Sequence, residues 1–150
     1  MEYLSTRNDK ISEKFEHIFI KGLSDDGGLF LPKQIKKLSD KEFSNLRNLS
    51  YVDLATEIIS IFTGDFCSNE KLHQIVKKSY STFNEHNVVK IKKVEDLHVL
   101  ELFHGPTLAF KDVAMQLIGN FYEYYLSKNT KKINIIVATS GDTGAAAIDA

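Results

Sequence analysis

Cysteine is almost absent from this chain: Cys67 is the only one in 150 residues. A lone thiol cannot close an intramolecular disulfide, so nothing here calls for an oxidising compartment. Charge of one sign is missing too. The 19 basic and 20 acidic residues leave a net charge of -1, which gives neither a nucleic acid nor an anionic membrane an electrostatic footprint. Long apolar runs are also lacking. The longest, INIIVAT at residues 133–139, is far short of the ~20 residues of a membrane helix. No apolar h-region follows Glu2, so a signal peptide is not indicated and the expected location is cytoplasmic. Repeats and low-complexity tracts are absent as well. What remains is a soluble chain whose partner is a small molecule.

What is present suffices for a core: 43% of the residues are hydrophobic and 26% charged. YLSTRN near the start and SDDGGLFLP at residues 24–32 read as a short strand or loop pair. Asp26-Gly27-Gly28 supplies turn backbone there, and Pro32 ends the pattern. Ser39 and Glu42 have capping-box spacing. A helix is then expected from about Tyr51, with Leu54, Ala55, Ile58, Ile59 and Phe62 on one face and Gly64 as its stop. Another should cover about Asn69 to Thr82, through Leu72, Ile75, Val76 and Tyr80. These elements suggest a small, mostly helical domain over residues 1–85.

From residue 86 the character changes. VVKIKKV at 88–94 and LHVLELF at 97–103 are strand-like and separated by Glu95-Asp96, as in a hairpin. From Phe110 onward, Val113, Ala114, Leu117, Ile118, Phe121, Tyr122 and Tyr125 recur at intervals of three and four, the clearest helix of the chain. INIIVAT reads as a strand buried on both faces, the kind found in parallel sheets. SGDTG then opens another helix. Residues 86–150 are therefore expected to begin an open α/β layer, a twisted sheet with flanking helices. The sequence ends at Ala150 inside GAAAIDA without a cap or a stop, and the expectation is of a chain that continues.

Two segments carry chemistry. In ELFHGPTLAFKD, residues 101–112, Pro106 places the helix start after the turn, so that Lys111 falls in the first helical turn. The positive end of the helix dipole and partial burial both disfavour a charged ammonium. The neutral amine is the form that attacks an aldehyde. The bland alternative is a solvated surface lysine. In ATSGDTGAAA, residues 138–147, small residues follow a strand and open a helix, a place where backbone N–H groups can hold a carboxylate or phosphate. Asp142 would repel such an anion unless it points elsewhere, for instance at a ligand hydroxyl. The alternative is a tight turn capped by Ser140 or Thr143. Neither the P-loop lysine nor the dinucleotide spacing is present.

Other residues are weaker candidates. His104 beside the turn could touch a ligand or merely hydrogen-bond the turn. His17, His73, His86 and His98 have no metal-ligand spacing with Cys67 or with one another, so no metal is expected. Arg7 could hold a phosphate or lie on the surface.

Taken together, ELFHGPTLAFKD and ATSGDTGAAA resemble threonine synthase, a fold-type II enzyme dependent on pyridoxal phosphate. YLSTRN and GLSDDGGLFLP at 22–32 match the amino-terminal segment of that family. The resemblance extends over essentially the whole chain. It implies that Lys111 holds pyridoxal 5'-phosphate as a Schiff base and later carries protons between substrate carbons. It implies that Asp142 also lies toward the cofactor, with Ser140, Gly141, Thr143 and Gly144 around the substrate carboxylate. The reaction implied is conversion of O-phospho-L-homoserine and water to L-threonine and phosphate. The family's glycine-rich loop for the cofactor phosphate lies beyond residue 150, so the 17.0 kDa piece alone is expected to be inactive and, through an exposed sheet edge, prone to associate. A phospholyase of the same fold and a non-catalytic remnant are the competing readings; retention of Lys111 argues against the remnant.

Overall fold

The structure is a computed structural model and describes residues 1–130 and 132–150. Its contacts divide the chain into two units, Met1–His73 and Gln74–Ala150.

The first unit opens with β1 (Glu2–Ser5), β2 (Ser12–Lys14) and β3 (Phe30–Pro32), an antiparallel sheet in the order β2-β1-β3 with Leu4 opposite both Ser12 and Leu31. Alternation along β1 buries Tyr3 and Ser5. The Tyr3 hydroxyl donates to the Phe62 carbonyl at 2.7 Å, giving a buried phenol the partner it needs. The two amino-terminal motifs are joined through Asp26. Its carboxylate accepts from the Ser5 hydroxyl at 2.8 Å and from the Gly28 N–H at 2.8 Å, and the Gly28 N–H above all holds it below the usual carboxylate range.

Helix α1 (Phe15–Lys21) follows β2 directly. Phe15 stacks on Phe19 at 5.7 Å and meets Phe66 edge-on at 5.3 Å. Helix α2 (Asp40–Leu46) starts at the expected capping box: Ser39 Oγ accepts from the Glu42 N–H, and the Glu42 carboxylate accepts from the Ser39 N–H. Helix α3 (Tyr51–Thr63) begins at Ser50 and stops at Gly64, whose N–H donates to Ser60 at 3.2 Å. Helix α4 (Asn69–Tyr80) contains the division between the units.

In the second unit, β4 (Lys90–Val94) and β5 (Leu97–Glu101) form the expected hairpin, with Val94 opposite Leu97. Glu95 has φ 53°, the left-handed backbone a tight hairpin turn demands. Helix α5 (Asp112–Ser127) packs on α6 (Asp142–Asp149), where Gln116 Nε2 donates to Asp149 Oδ2 at 2.6 Å. The apolar core of this unit includes Ile75, Val76, Tyr80, Val88, Phe121, Tyr125 and Ala146.

Two expectations are corrected. The buried residues of α5 are Asp112, Gln116, Phe121 and Tyr125, whereas Phe110 and Ala114 of the anticipated stripe are exposed. Phe121 and Tyr125 of that stripe are buried as anticipated, while Asp112 and Gln116, on the opposite side of the helix, are buried through their hydrogen bonds to Thr107 and Asp149. Residues 133–139 form no strand: neither sheet of the described residues includes them, and Ile136 is 95% exposed. A parallel strand exists through neighbours that pair its backbone, and none of the described strands pairs with residues 133–139. The alternation survives, since Ile135 and Val137 line an apolar groove of about 540 Å³ with Ile118 and Tyr122 of α5 and Ala147 of α6.

Candidate active site

The site is built around the start of α5. Gly105 is buried, and a Cβ there would lie 2.4 Å from the Asp112 Cβ, so only glycine lets the His-Gly-Pro turn close onto the helix. Leu108 then takes φ 60°, with its N–H donating to the Gly105 carbonyl at 3.1 Å. A non-glycine residue in this region is held there by its surroundings. The holding group is Asp112. Its side chain is completely buried, Oδ2 accepting from the Thr107 N–H at 2.9 Å and Oδ1 from the Thr107 hydroxyl at 2.6 Å.

Lys111 occupies the N-cap of α5, one residue before the first helical position, because the strained turn over 108–110 delays the helix relative to its apolar period. Its carbonyl accepts from the Met115 N–H at 2.9 Å, which anchors its backbone to the helix. The half-buried side chain lays Nζ over the Phe110 ring at 4.5 Å. Among the described residues this amine has no carboxylate partner, whereas Lys14, Lys21, Lys33 and Lys36 each have one. A primary amine left unpaired at a helix start suits attack on an aldehyde.

The second segment opens α6 without a side-chain cap. Gly141 is the N-cap of α6 at φ 148°, with its N–H donating to Thr139 Oγ1 at 3.3 Å. The N–H groups at the start of α6 therefore lack the side-chain acceptor that Ser39 supplies to α2. Ser140, Gly141 and Asp142 are exposed, while Thr143 and Gly144 are half-buried. A Cβ on Gly144 would lie 2.5 Å from Thr139 Cγ2, so glycine permits this close approach.

The packing of α5 on α6 places both segments in one unit, but no hydrogen bond or ion pair joins Lys111 to residues 140–144 among the described residues. His104 Nε2 donates to Glu101 Oε2 at 3.0 Å, and its carbonyl accepts from the Asn84 N–H. Arg7 lies in the first unit, donating to the Asp26 carbonyl at 3.0 Å. The sequence reading missed Asp112 and Thr107. An aspartate opening a helix is ordinary, and only its burial against the turn sets this one apart.

Residues 2–80 match a family model described as threonine synthase N terminus. The chain belongs to the threonine synthase family. A threonine synthase of Eremothecium gossypii is 42% identical over 97% of this chain, and one of Schizosaccharomyces pombe is 41% identical over 99%. A protein named threonine synthase-like 2 from Mus musculus is 36% identical over 99%. Among solved structures, a pyridoxal phosphate-bound threonine synthase from Brucella melitensis superimposes with TM-score 0.94 at 40% identity over 99% of this chain. The yeast threonine synthase gives 0.93 at 40% identity, also over 99%. The fold is thus the mixed α/β architecture of these fold-type II proteins. The chain spans about a third of their length: 32% of the Eremothecium protein and 32% of the Brucella chain.

Proposed function

We propose that the whole protein is a cytoplasmic threonine synthase that uses pyridoxal 5'-phosphate to convert O-phospho-L-homoserine and water to L-threonine and phosphate. In this reading residues 1–85 are its amino-terminal domain and 86–150 begin its catalytic domain. The observation that carries it is Lys111, an amine with no carboxylate partner among the described residues, presented by a glycine-dependent turn at the start of α5. Pyridoxal phosphate, when bound, supplies the aldehyde that Lys111 takes up and an electron sink for the substrate carbons.

The residues of this chain have distinct tasks. Lys111 Nζ would hold the cofactor and would carry protons among the substrate Cα, Cβ and Cγ. Ser140, Gly141, Thr143 and Gly144 surround the substrate carboxylate, which the N–H groups opening α6 bind. Asp142 would serve the cofactor and not that carboxylate, which would spare the repulsion of a second anion.

The test uses the full-length protein. Borohydride reduction in the presence of pyridoxal phosphate should place the label on Lys111, and O-phospho-L-homoserine should yield threonine and phosphate in equal amounts. Phosphate with a keto acid in place of threonine would make the protein a phospholyase. No label on a folded full-length protein would sink the enzyme reading.

A further inference from the structure

Asp112 is a buried carboxylate without a cation: among the described residues it enters no ion pair, and both oxygens bond to Thr107. Burial of a charge is expensive unless hydrogen bonds and local dipoles offset it. Here the Thr107 N–H and hydroxyl, and the positive end of α5, supply that compensation. A neutral side chain would spare most of the cost if the position served packing alone.

The geometry explains why a carboxylate is used. Two acceptors on one rigid plane bind two donors of a single residue, which fixes the orientation of Thr107 as well as its distance. The enclosed segment, residues 108–111, ends in Lys111. It contains the strained Leu108 at φ 60°, and the Asp112 and Val113 N–H groups donate back to the Ala109 and Phe110 carbonyls at 3.0 and 3.3 Å. Downstream, the Lys111 carbonyl is tied to the Met115 N–H. The lysine Cα is thereby held from both sides, while its side chain carries no hydrogen bond among the described residues. The direction in which the amine leaves the helix start is set by the backbone, and the backbone is set by the clamp.

Resting on the functional reading above, we infer that Asp112 is a positioning residue: by gripping Thr107 it aims Lys111 at the cofactor aldehyde. Fully buried, with both oxygens engaged by Thr107, it acts through the turn.

The test compares full-length wild type with Thr107→Val, which removes the hydroxyl bond, and Thr107→Ser, which keeps it. Thr107→Ala is the second variant, since it leaves room for water beside the carboxylate where valine places a methyl group. For each apo-protein, the thermal midpoint is recorded first. The rate of Lys111 labelling by pyridoxal phosphate, trapped with borohydride and counted per folded molecule by peptide mass, is then measured. Thr107→Val and Thr107→Ala should slow labelling by about tenfold or more, the penalty of a misdirected reacting group, and Thr107→Ser should restore it. A merely structural clamp would lower the midpoint and leave labelling per folded molecule unchanged; that result overturns the proposal. Equal loss in Thr107→Ser also overturns it. Absence of label from Lys111 in the wild type would instead defeat the functional reading itself, and this inference with it.

Discussion

Asp112 and Thr107 bind each other twice, hydroxyl to Oδ1 at 2.6 Å and N–H to Oδ2 at 2.9 Å, across the turn that ends in Lys111. Removing the carboxylate strands the Thr107 donors and empties a fully buried site. Asp112→Ala should therefore lower the unfolding free energy by about 2–4 kcal/mol, the scale of charge-assisted bonds lost in the interior. Urea denaturation measures it, and a loss below ~1 kcal/mol would mean that other contacts hold the turn.

Lys111 should behave in the opposite way. Among the described residues its side chain caps nothing and has no carboxylate partner, so Lys111→Ala should change stability by no more than ~0.5 kcal/mol. In the full-length protein the same substitution should cost about a thousandfold or more in kcat. Stability and activity measured on one preparation separate the two effects.

At the α6 start, Gly144→Ala would drive a methyl group to within 2.5 Å of Thr139 Cγ2. The expected loss is about 1–3 kcal/mol, as for other overpacked sites. Thr139→Ser deletes that methyl and retains the hydroxyl that accepts from Gly141. The double variant should regain most of the stability. If it does not, the Thr139 methyl is not what excludes a side chain at Gly144.

Glu42 gives a pH signature remote from the site. The Lys36 ammonium, then the Ser39 N–H and hydroxyl, hold its carboxyl down to about 2 from an ordinary 4.5. A carboxyl depressed in the folded state adds stability that is complete above its unfolded value and lost as pH falls toward the folded one. Helix α2 should thus weaken between about pH 4.5 and 2. Glu42→Gln should remove that dependence. Carboxyl-selective NMR titration of Glu42 checks the value directly, and a midpoint near 4.5 would mean that neither Lys36 nor Ser39 depresses it.

Local chemistry explains what was legible in the chain. The helix from Tyr51 to its stop at Gly64, the one from Asn69, the capping box at Ser39 and Glu42, and the hairpin about Glu95 all depend on near neighbours in sequence. So does the place of Lys111 at a helix start, within one residue. Helix α1 was not foreseen: Phe15, Ile18 and Phe19 stand at helical spacing, but seven residues are too few to establish a period, and Phe15 and Phe19 pack on Phe66, distant in sequence.

The sequence by itself determined the family, through two long motifs and an amino-terminal segment whose residue types are demanded by turns, helix starts and amine chemistry. Only the tertiary structure decided that α5 buries Asp112 and Gln116 as well as Phe121 and Tyr125, that Asp112 grips Thr107, and that INIIVAT alternates beside α5 and α6 without becoming a strand. Each of those outcomes depends on a partner brought close by folding: a donor for a buried carboxylate, a neighbour for an unpaired backbone. Periodicity records how a segment would like to be covered, and packing determines what covers it.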